Sequence, residues 1–166
     1  MDEAGKMNRM VKNLLALNQL EFGEDDVQFE RFDITSLISG VLQSLDILIE
    51  QKEAQVIFRH KNPVYVWADE FKVEQVVRNY VNNALNHIDG EKVIEIKITQ
   101  ENDMAKITVF NTGTPIPEED LPHIWEKFYK VDKARTREYG GNGIGLSIVK
   151  AIMDSFGKGY GAINHT

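Results

Sequence analysis

Between Asp69 and Gly90 the apolar residues Val73, Val76, Val77, Tyr80, Val81, Ala84 and Leu85 recur at helical spacing and predict a helix with one broad buried face. Asp69 is placed to cap it, it runs to about Ile88, and Asp89-Gly90 ends it. At about 100° per residue, Asn79, Asn83 and Asn86 fall together on the opposite side, with His87 at its margin. Further along, Lys92 to Thr99 alternates with Ile94, Ile96 and Ile98 on one face, Asn102-Asp103 turns the chain, and Met104 to Phe110 alternates again. That is the pattern of a β-hairpin. Parity puts Asn111 on the same face as Ile107 and Val109. If that face carries the helices, the strand delivers Asn111 into the interior that the asparagine helix faces.

The other elements are read the same way. Met7, Met10, Val11, Leu14, Leu15, Leu17 and Leu20 form an apolar stripe on an N-terminal helix. The stripe reads as a helix folded back onto the domain, or as half of a helical hairpin or dimer interface from a longer protein. The second reading is preferred, because the sequence begins almost directly in the stripe. Glu21 to Gln28 is a linker or turn, so residues 1–24 are assigned to a helix end with its linker and 25–166 to a separate domain, expected to be truncated at its C-terminus. Phe29–Asp33 predicts a strand. Asp33-Ile34-Thr35-Ser36 caps a helix through about Lys52 that turns Leu37, Ile38, Val41, Leu42, Leu45 and Ile49 inward. Short strands follow near Gln55–His60 and Val64–Trp67, split by Lys61-Asn62-Pro63.

Beyond Asn111, Thr112 to Pro117 is too rich in Gly and Pro for regular structure; a short helix is expected around Glu118–Glu126. Phe128-Tyr129-Lys130 leads into a polar segment holding Lys133, Arg135 and Arg137. A last helix carries Leu146, Ile148, Val149, Ile152 and Met153, with Gly157 as its C-cap, and a strand start is possible just before Thr166. Strands and helices alternate irregularly. This argues for an α/β chain of the α+β type, a two-layer sandwich of a mixed sheet and helices.

Composition narrows the chemistry. The 166 residues are 42% hydrophobic and 27% charged, enough for one domain with a core. A net charge of −7 argues against a nucleic-acid surface. With no cysteine there is no disulfide framework and no thiolate chemistry. No run approaches the ~18 apolar residues of a membrane span.

Asparagine is a poor helix former, yet four of the nine residues from Asn79 to His87 are asparagine. A row of neutral amides offers oxygens to a hard cation and N–H donors to phosphate without the repulsion of a carboxylate. Magnesium carried by a nucleotide keeps several waters and takes only one or two protein oxygens, which an asparagine pair one turn apart can supply. From this stretch alone, a polyphosphate–Mg site and a plain solvated helix face remain equally open. The glycines of Gly140-Gly141-Asn142-Gly143-Ile144-Gly145-Leu146, directly before an apolar helix, let backbone N–H groups approach an anion, although a flexible linker would look the same. No Gly-Lys-Ser/Thr closes a P-loop, no clear strand leads into the glycines as a dinucleotide fingerprint needs, and the protein-kinase motif set is missing.

The order of these features is specific: asparagine helix, strand ending in Asn-x-Gly, Phe-Tyr, then Gly-x-Gly-x-Gly before a helix. In it the chain resembles the ATP-binding catalytic domain of bacterial sensor histidine kinases, of the ATPase superfamily shared with DNA gyrase and a heat-shock chaperone family. Asn79 and Asn83 match the N box of that family, Asn111-Thr112-Gly113 its first glycine box, Phe128 its F box, and Gly141-Asn142-Gly143-Ile144-Gly145-Leu146 its second glycine box. The match spans about Phe29 to Gly161, and the leading stripe resembles the end of the second helix of the dimerisation domain.

The resemblance implies a Bergerat ATP-binding fold with a flexible lid between the glycine boxes, and ATP and Mg2+ as cofactors. It implies Asn83 as the Mg ligand, Asn79 near the phosphates, Asn111 accepting from the adenine amino group, and Gly113, Gly141, Gly143, Gly145 and Leu146 in the glycine boxes. Phe128, Tyr129 and Lys130 join the ATP-binding set. Lys130, Arg135 or Arg137 would stabilise charge on the transferring phosphoryl group, or be solvated lid charges.

The chain also departs from the family. Asn111 stands where the family has Asp, Asn86 and His87 replace a basic residue and Tyr, and Thr114-Pro115 replaces a second glycine. Asn86 donates to phosphate without bringing charge, and His87 stacks on adenine or merely caps the helix. An amide at Asn79, where hydrolytic relatives carry a glutamate, cannot act as a general base and favours transfer over hydrolysis. None of His60, His87, His123 and His165 lies in the His-Glu-x-x-x-Pro setting of the phosphoacceptor helix; His60, His123 and His165 each read as an ordinary surface histidine. The expected function is therefore donation of the ATP γ-phosphoryl group to a histidine on a dimerisation helix outside this sequence. The alternatives are a nucleotide-binding module without transfer and a self-contained ATPase or anti-sigma-type serine kinase. Expected partners are the phosphoacceptor helical domain of the same protein and, indirectly, a response regulator, with no nucleic acid. The parent is expected to be a homodimer in the bacterial membrane with this domain in the cytoplasm; the fragment by itself is expected to be a monomer.

Overall fold

A computed structural model describes residues 7, 8, 10–15, 17, 27–131 and 144–165. They fall into two compact units: Val27–Thr114, and the N-terminal residues together with Pro115–Thr166.

In the unit Val27–Thr114, β1 (Glu30–Asp33) leads into α1 (Ile34–Ser44). Asp33 caps that helix: its carboxylate accepts from Thr35 N at 3.0 Å, from the Ser36 hydroxyl at 2.8 Å and from Val64 N at 3.1 Å. Desolvation pushes this carboxyl upward, but the hydrogen bonds from Ser36, Val64 and Thr35 outweigh it and hold its pKa below the ordinary aspartate value. Because the folded value is depressed, the contribution to stability is fully present above the unfolded aspartate pKa and is lost as pH falls through the folded one. Thermal midpoints of wild type and Asp33→Asn are therefore expected to differ at neutral pH and to converge below about pH 3. A gap independent of pH would remove the carboxylate from this role.

The helix expected to run unbroken to Lys52 ends at Ser44. Leu45 (φ −100°, ψ 9°) separates it from α2 (Asp46–Gln51). Ile34, Ile38 and Val41 are buried, while Leu37, Leu42, Leu45 and Ile49 pack partly covered against the core. β2 (Gln55–Phe58) and β3 (Tyr65–Ala68) do not pair with each other. β3 runs antiparallel to β1, whereas β2 pairs in parallel with β4 (Val93–Glu101), so the sheet they enter is mixed. A parallel partner requires a crossover, and α3 (Glu70–His87) lies in the chain between β2 and β4. Asp69 caps α3, accepting from Lys72 N at 3.1 Å and also from Gln28 N at 2.9 Å.

β4 and β5 (Met104–Asn111) form the expected hairpin. Asn102 and Asp103 both adopt positive φ, as a two-residue hairpin turn with right-handed strand twist demands. Ile94, Ile96 and Ile98 are buried against Val77, Val81, Ala84 and Leu85 of α3 and Ile34, Ile38 and Val41 of α1, in one core of sheet and helices. Glu95 and Lys97 alternate with the buried isoleucines and ion-pair at 3.5 Å.

In the other unit, Glu118–Glu126 does not form the expected α-helix; only a 3-10 turn, Leu121–His123, is present. Pro122 lacks the N–H that a continuing helix needs, and its ring would clash one turn back. The final helix, α4 (Gly145–Phe156), buries Ile148, Val149 and Ile152 and ends on Gly157 at φ 68°. No strand follows among the described residues. Instead the Asn164 side chain accepts from Ile116 N at 2.9 Å and donates to its carbonyl at 2.7 Å. Of the N-terminal stripe, Leu17 is buried, whereas Met7, Val11 and Leu15 stay exposed. Val11, Leu14, Leu15 and Leu17 line an apolar groove with Lys127.

Candidate functional site

Every polar residue expected on α3 sits half-buried behind a helix face that is closed by Val76, Val77, Val81, Ala84 and Leu85. Asn79 turns its amide nitrogen back to the Gln75 carbonyl at 2.9 Å, one turn earlier. The side chains of Asn83 and Asn86 make no hydrogen bond to other described residues, so their amide groups are available to a ligand. His87 is the last residue of α3.

The end of β5 meets the end of this helix. Asn111 stands directly opposite Ile94 in the strand register, on the core face that parity predicts, and donates through Nδ2 to the Thr112 carbonyl at 3.1 Å. Thr112 then fastens the junction. Its N–H donates to the Val93 carbonyl at 3.0 Å and its carbonyl accepts from Asp89 N at 3.0 Å. Its hydroxyl donates to the Asp89 carbonyl at 2.9 Å and accepts from Val93 N at 3.0 Å. Gly113 follows at φ 153°, so close to the helix end that a Cβ there would lie 2.6 Å from the His87 carbonyl oxygen. The asparagine row and Asn111 are thus joined through a single backbone junction in this unit. The clasping role of Thr112 escaped the sequence reading because its two partners, Asp89 and Val93, are distant in the chain; the hydroxyl at a strand end is the signal that was there to find.

A ligand held here meets neutral amides, which neither repel a polyphosphate nor bind a bare cation tightly. Among the described residues no group of three or more His, Asp or Glu side chains could hold a metal by itself. A divalent ion that arrives already coordinated by a nucleotide fits this donor set, because it needs only one or two protein oxygens.

The remaining expected residues lie in the other unit. Phe128 is exposed at φ 64°, a left-handed conformation that costs a non-glycine residue about 1 kcal/mol or more. Tyr129 stacks on His123 with ring centroids 5.4 Å apart, and its hydroxyl donates to the Asp120 carboxylate. That hydrogen bond, with burial and the charges of Asp120, Glu126 and Glu119 behind it, raises the phenol above its ordinary pKa. The Tyr129 hydroxyl is therefore spent within the unit. Lys130 is half-buried. Gly145 and Leu146 form the first turn of α4. Gly141 and Gly143, with Lys133, Arg135, Arg137 and Asn142, lie outside the described residues.

The histidines are not all the surface residues expected. His123 is, bonding Glu126 at 2.7 Å, and His165 is exposed. His60 is half-buried, and its Nε2 is shut off from solvent without a hydrogen-bond partner. That burial comes from packing around the residue, which local sequence does not reveal.

Comparison with known proteins identifies the family. The family described as "Histidine kinase-, DNA gyrase B-, and HSP90-like ATPase" matches residues 68–165. The sensor histidine kinase WalK of Bacillus subtilis is 32% identical over 94% of this chain and 26% of its own length. The sensor histidine kinase YkoH of the same organism is 35% identical over 93% of this chain and 33% of its length. The chain thus spans about a quarter to a third of these relatives. Among solved structures, the catalytic domain of histidine kinase ThkA superposes with a TM-score of 0.67 at 28% identity, covering 77% of this chain and 81% of that one.

Proposed function

The chain belongs to the histidine kinase-, DNA gyrase B- and HSP90-like ATPase family, and on that premise we propose that it is the ATP-binding catalytic domain of a two-component sensor histidine kinase. The observation that carries the reading is the junction at Gly113, where the strand bearing Asn111 closes on the helix bearing Asn79, Asn83 and Asn86. ATP is the ligand that the family fold takes. Asn83 supplies an oxygen to the magnesium ion, which neutralises phosphate charge, while Asn79 and Asn86 lie along the phosphates. Asn111 accepts from the adenine amino group. Gly113 keeps the backbone close, and His87 borders the base. The family resemblance adds Phe128, Tyr129, Lys130, Gly141, Gly143, Gly145 and Leu146 to the ATP-binding set.

In the proposed reaction an imidazole nitrogen of an acceptor histidine attacks the γ-phosphorus of ATP. A P–N bond forms, the bond to the β-phosphate oxygen breaks, and ADP leaves. Asn79 cannot activate water as a carboxylate would, so transfer is favoured over hydrolysis. The acceptor helix belongs to the rest of the parent protein, and the exposed Met7, Val11 and Leu15 face it or its second copy. A response regulator receives the phosphoryl group next. Among the described residues no helix is long and apolar enough to cross a membrane; the domain works on the cytoplasmic side of a parent that supplies any anchor.

Incubation with γ-labelled ATP, Mg2+ and a supplied acceptor-helix domain tests this. Label is expected on the acceptor histidine and not in free phosphate. ATP binding with neither product would leave a nucleotide-binding module, which the amide at Asn111 in place of a carboxylate would explain. Steady release of phosphate without acceptor would instead mark a self-contained ATPase.

A further inference from the structure

The ribbon of β1 and β3 turns one face to the core and the other to solvent. Phe32 and Val66 pair on the inner face and join the core. On the outer face Arg31 stands directly opposite Trp67, and Asp33 opposite Tyr65. A solvated strand face is ordinarily polar, yet Trp67 is 68% exposed and Tyr65 52%. Phe29, two residues before Arg31, is also exposed, and so is Phe71, which follows β3 in the first turn of α3. Single apolar residues on a surface need no explanation, but aromatic rings gathered on two adjoining elements do. The Arg31 guanidinium lies 4.0 Å from the centroid of the Tyr65 ring, and it pairs with no carboxylate among the described residues.

Size and charge limit what can cover this face. The four part-exposed rings present on the order of 400 Å² of apolar area. That is about half of the ~800 Å² that one partner brings to a stable protein complex. Charge also opposes a second copy, since a two-fold contact would bring the cations of both patches together. Residues 59–68 contain the exposed Arg59 and Lys61 and no acidic residue, in a chain of net charge −7. The connection carrying Lys61 is fastened at the Tyr65 end of the ribbon: the Thr35 hydroxyl donates to the Asn62 carbonyl at 2.9 Å, and Ile34 N to the Val64 carbonyl at 2.8 Å. Nearby carboxylates offset these cations only in part. Glu30 alternates to the inner side of the ribbon, and Asp33 is engaged by Thr35 N, Val64 N and the Ser36 hydroxyl. Glu70 remains beside Phe71 at the α3 end.

Rings flanked by cations, on a strand face too small for a stable folded partner, match the headgroup region of an anionic bilayer. There Trp and Tyr set an apolar body against acyl chains and a polar edge among headgroups, while Arg and Lys reach the lipid phosphates. A bilayer demands no shape complementarity and accepts a small patch.

We propose that the outer face of the β1–β3 ribbon is a membrane-contact surface for anionic phospholipid, with Tyr65, Trp67, Phe29 and Phe71 entering the interface and Arg31 and Lys61 meeting the headgroup phosphates. The surface lies wholly within the unit Val27–Thr114 and uses none of the amide row, so it stands independently of the nucleotide reading.

Co-sedimentation with vesicles of equal parts phosphatidylethanolamine and phosphatidylglycerol, and with vesicles of phosphatidylcholine, tests this. Wild type is expected to partition onto the anionic vesicles about fivefold or more above phosphatidylcholine, and to lose that preference in high salt. Trp67→Ala is expected to weaken binding about tenfold. Arg31→Glu combined with Lys61→Glu is expected to cost about tenfold or more through charge. These side chains are exposed, so melting temperature and ATP affinity should stay at wild-type values. Wild type left in the supernatant would overturn the assignment and return the face to a protein partner. Variants that sediment like wild type, or equal binding to both vesicle types, would overturn it as well. Self-association of the vesicle-free protein that Trp67→Ala abolishes would give the face to a second copy instead.

Discussion

Asn83→Ala is expected to abolish most Mg-dependent nucleotide binding while leaving the fold intact. Asn83 is half-buried on α3 and its side chain makes no hydrogen bond to other described residues, so its truncation breaks nothing in the free protein. Alanine is the better helix former by a few tenths of a kcal/mol, and the unfolding midpoint should stay or rise slightly. The metal-bound complex should suffer instead. Loss of one of the one or two protein oxygens on a nucleotide-borne magnesium is expected to weaken Mg·ATP binding about 100-fold, or about 2.7 kcal/mol. Binding of ATP in the presence of a chelator should change little. Asn83→Asp keeps an oxygen at the same place and should retain Mg dependence. Calorimetry with and without Mg2+ reads all of these, and equal Mg·ATP affinity in wild type and Asn83→Ala would remove Asn83 from the metal.

Gly113→Ala is expected to be the most destabilising single-methyl change in the unit Val27–Thr114. Two costs add. At φ 153° the residue sits where L side chains are strained, a penalty of about 1–3 kcal/mol. The new Cβ would also stand 2.6 Å from the His87 carbonyl oxygen, and a backbone atom at the end of a packed helix cannot swing away as a flexible side chain would. Urea unfolding should show a loss of about 3 kcal/mol. Gly90→Ala is the control. Gly90 also has positive φ, at 66°, but nothing lies within 4 Å of the added carbon, so about 1 kcal/mol is expected. Similar losses in both variants would mean that conformation alone matters at Gly113. Because Thr112 ties this turn to Asp89 and Val93, the displacement should also shift Asn111 and weaken ATP binding in the protein that remains folded.

Much of this architecture was legible in the chain because the signals are local. Asp33 and Asp69 cap the helices they precede, through bonds to amides two or three residues on. Asn102 and Asp103 turn the hairpin because both tolerate positive φ. Strict alternation set the parity of β4 and β5 and with it the placement of Asn111 opposite Ile94. Gly157 ends α4 in the left-handed conformation its position predicts. The errors arose where local periodicity competed with something else. The apolar spacing from Leu37 to Ile49 continues through Leu45, yet the backbone there leaves the helix. Acidic residues around Glu118 suggest a helix start that Pro122 prevents from growing.

By itself the sequence determined the asparagine helix, the last helix, the hairpin, the amide row and the order of boxes that identifies the family, since each depends on residue type and spacing along one element. Only the tertiary structure decided the rest. It assigned β2 to a parallel partner and β3 to an antiparallel one, because strand pairing is settled by burial of the whole core and not by the strand itself. It brought Gly113 against the His87 carbonyl and made Thr112 the clasp between Asp89 and Val93. Hydrogen-bond partners distant in sequence and the space around a side chain are properties of the packed chain, and no window of residues encodes them.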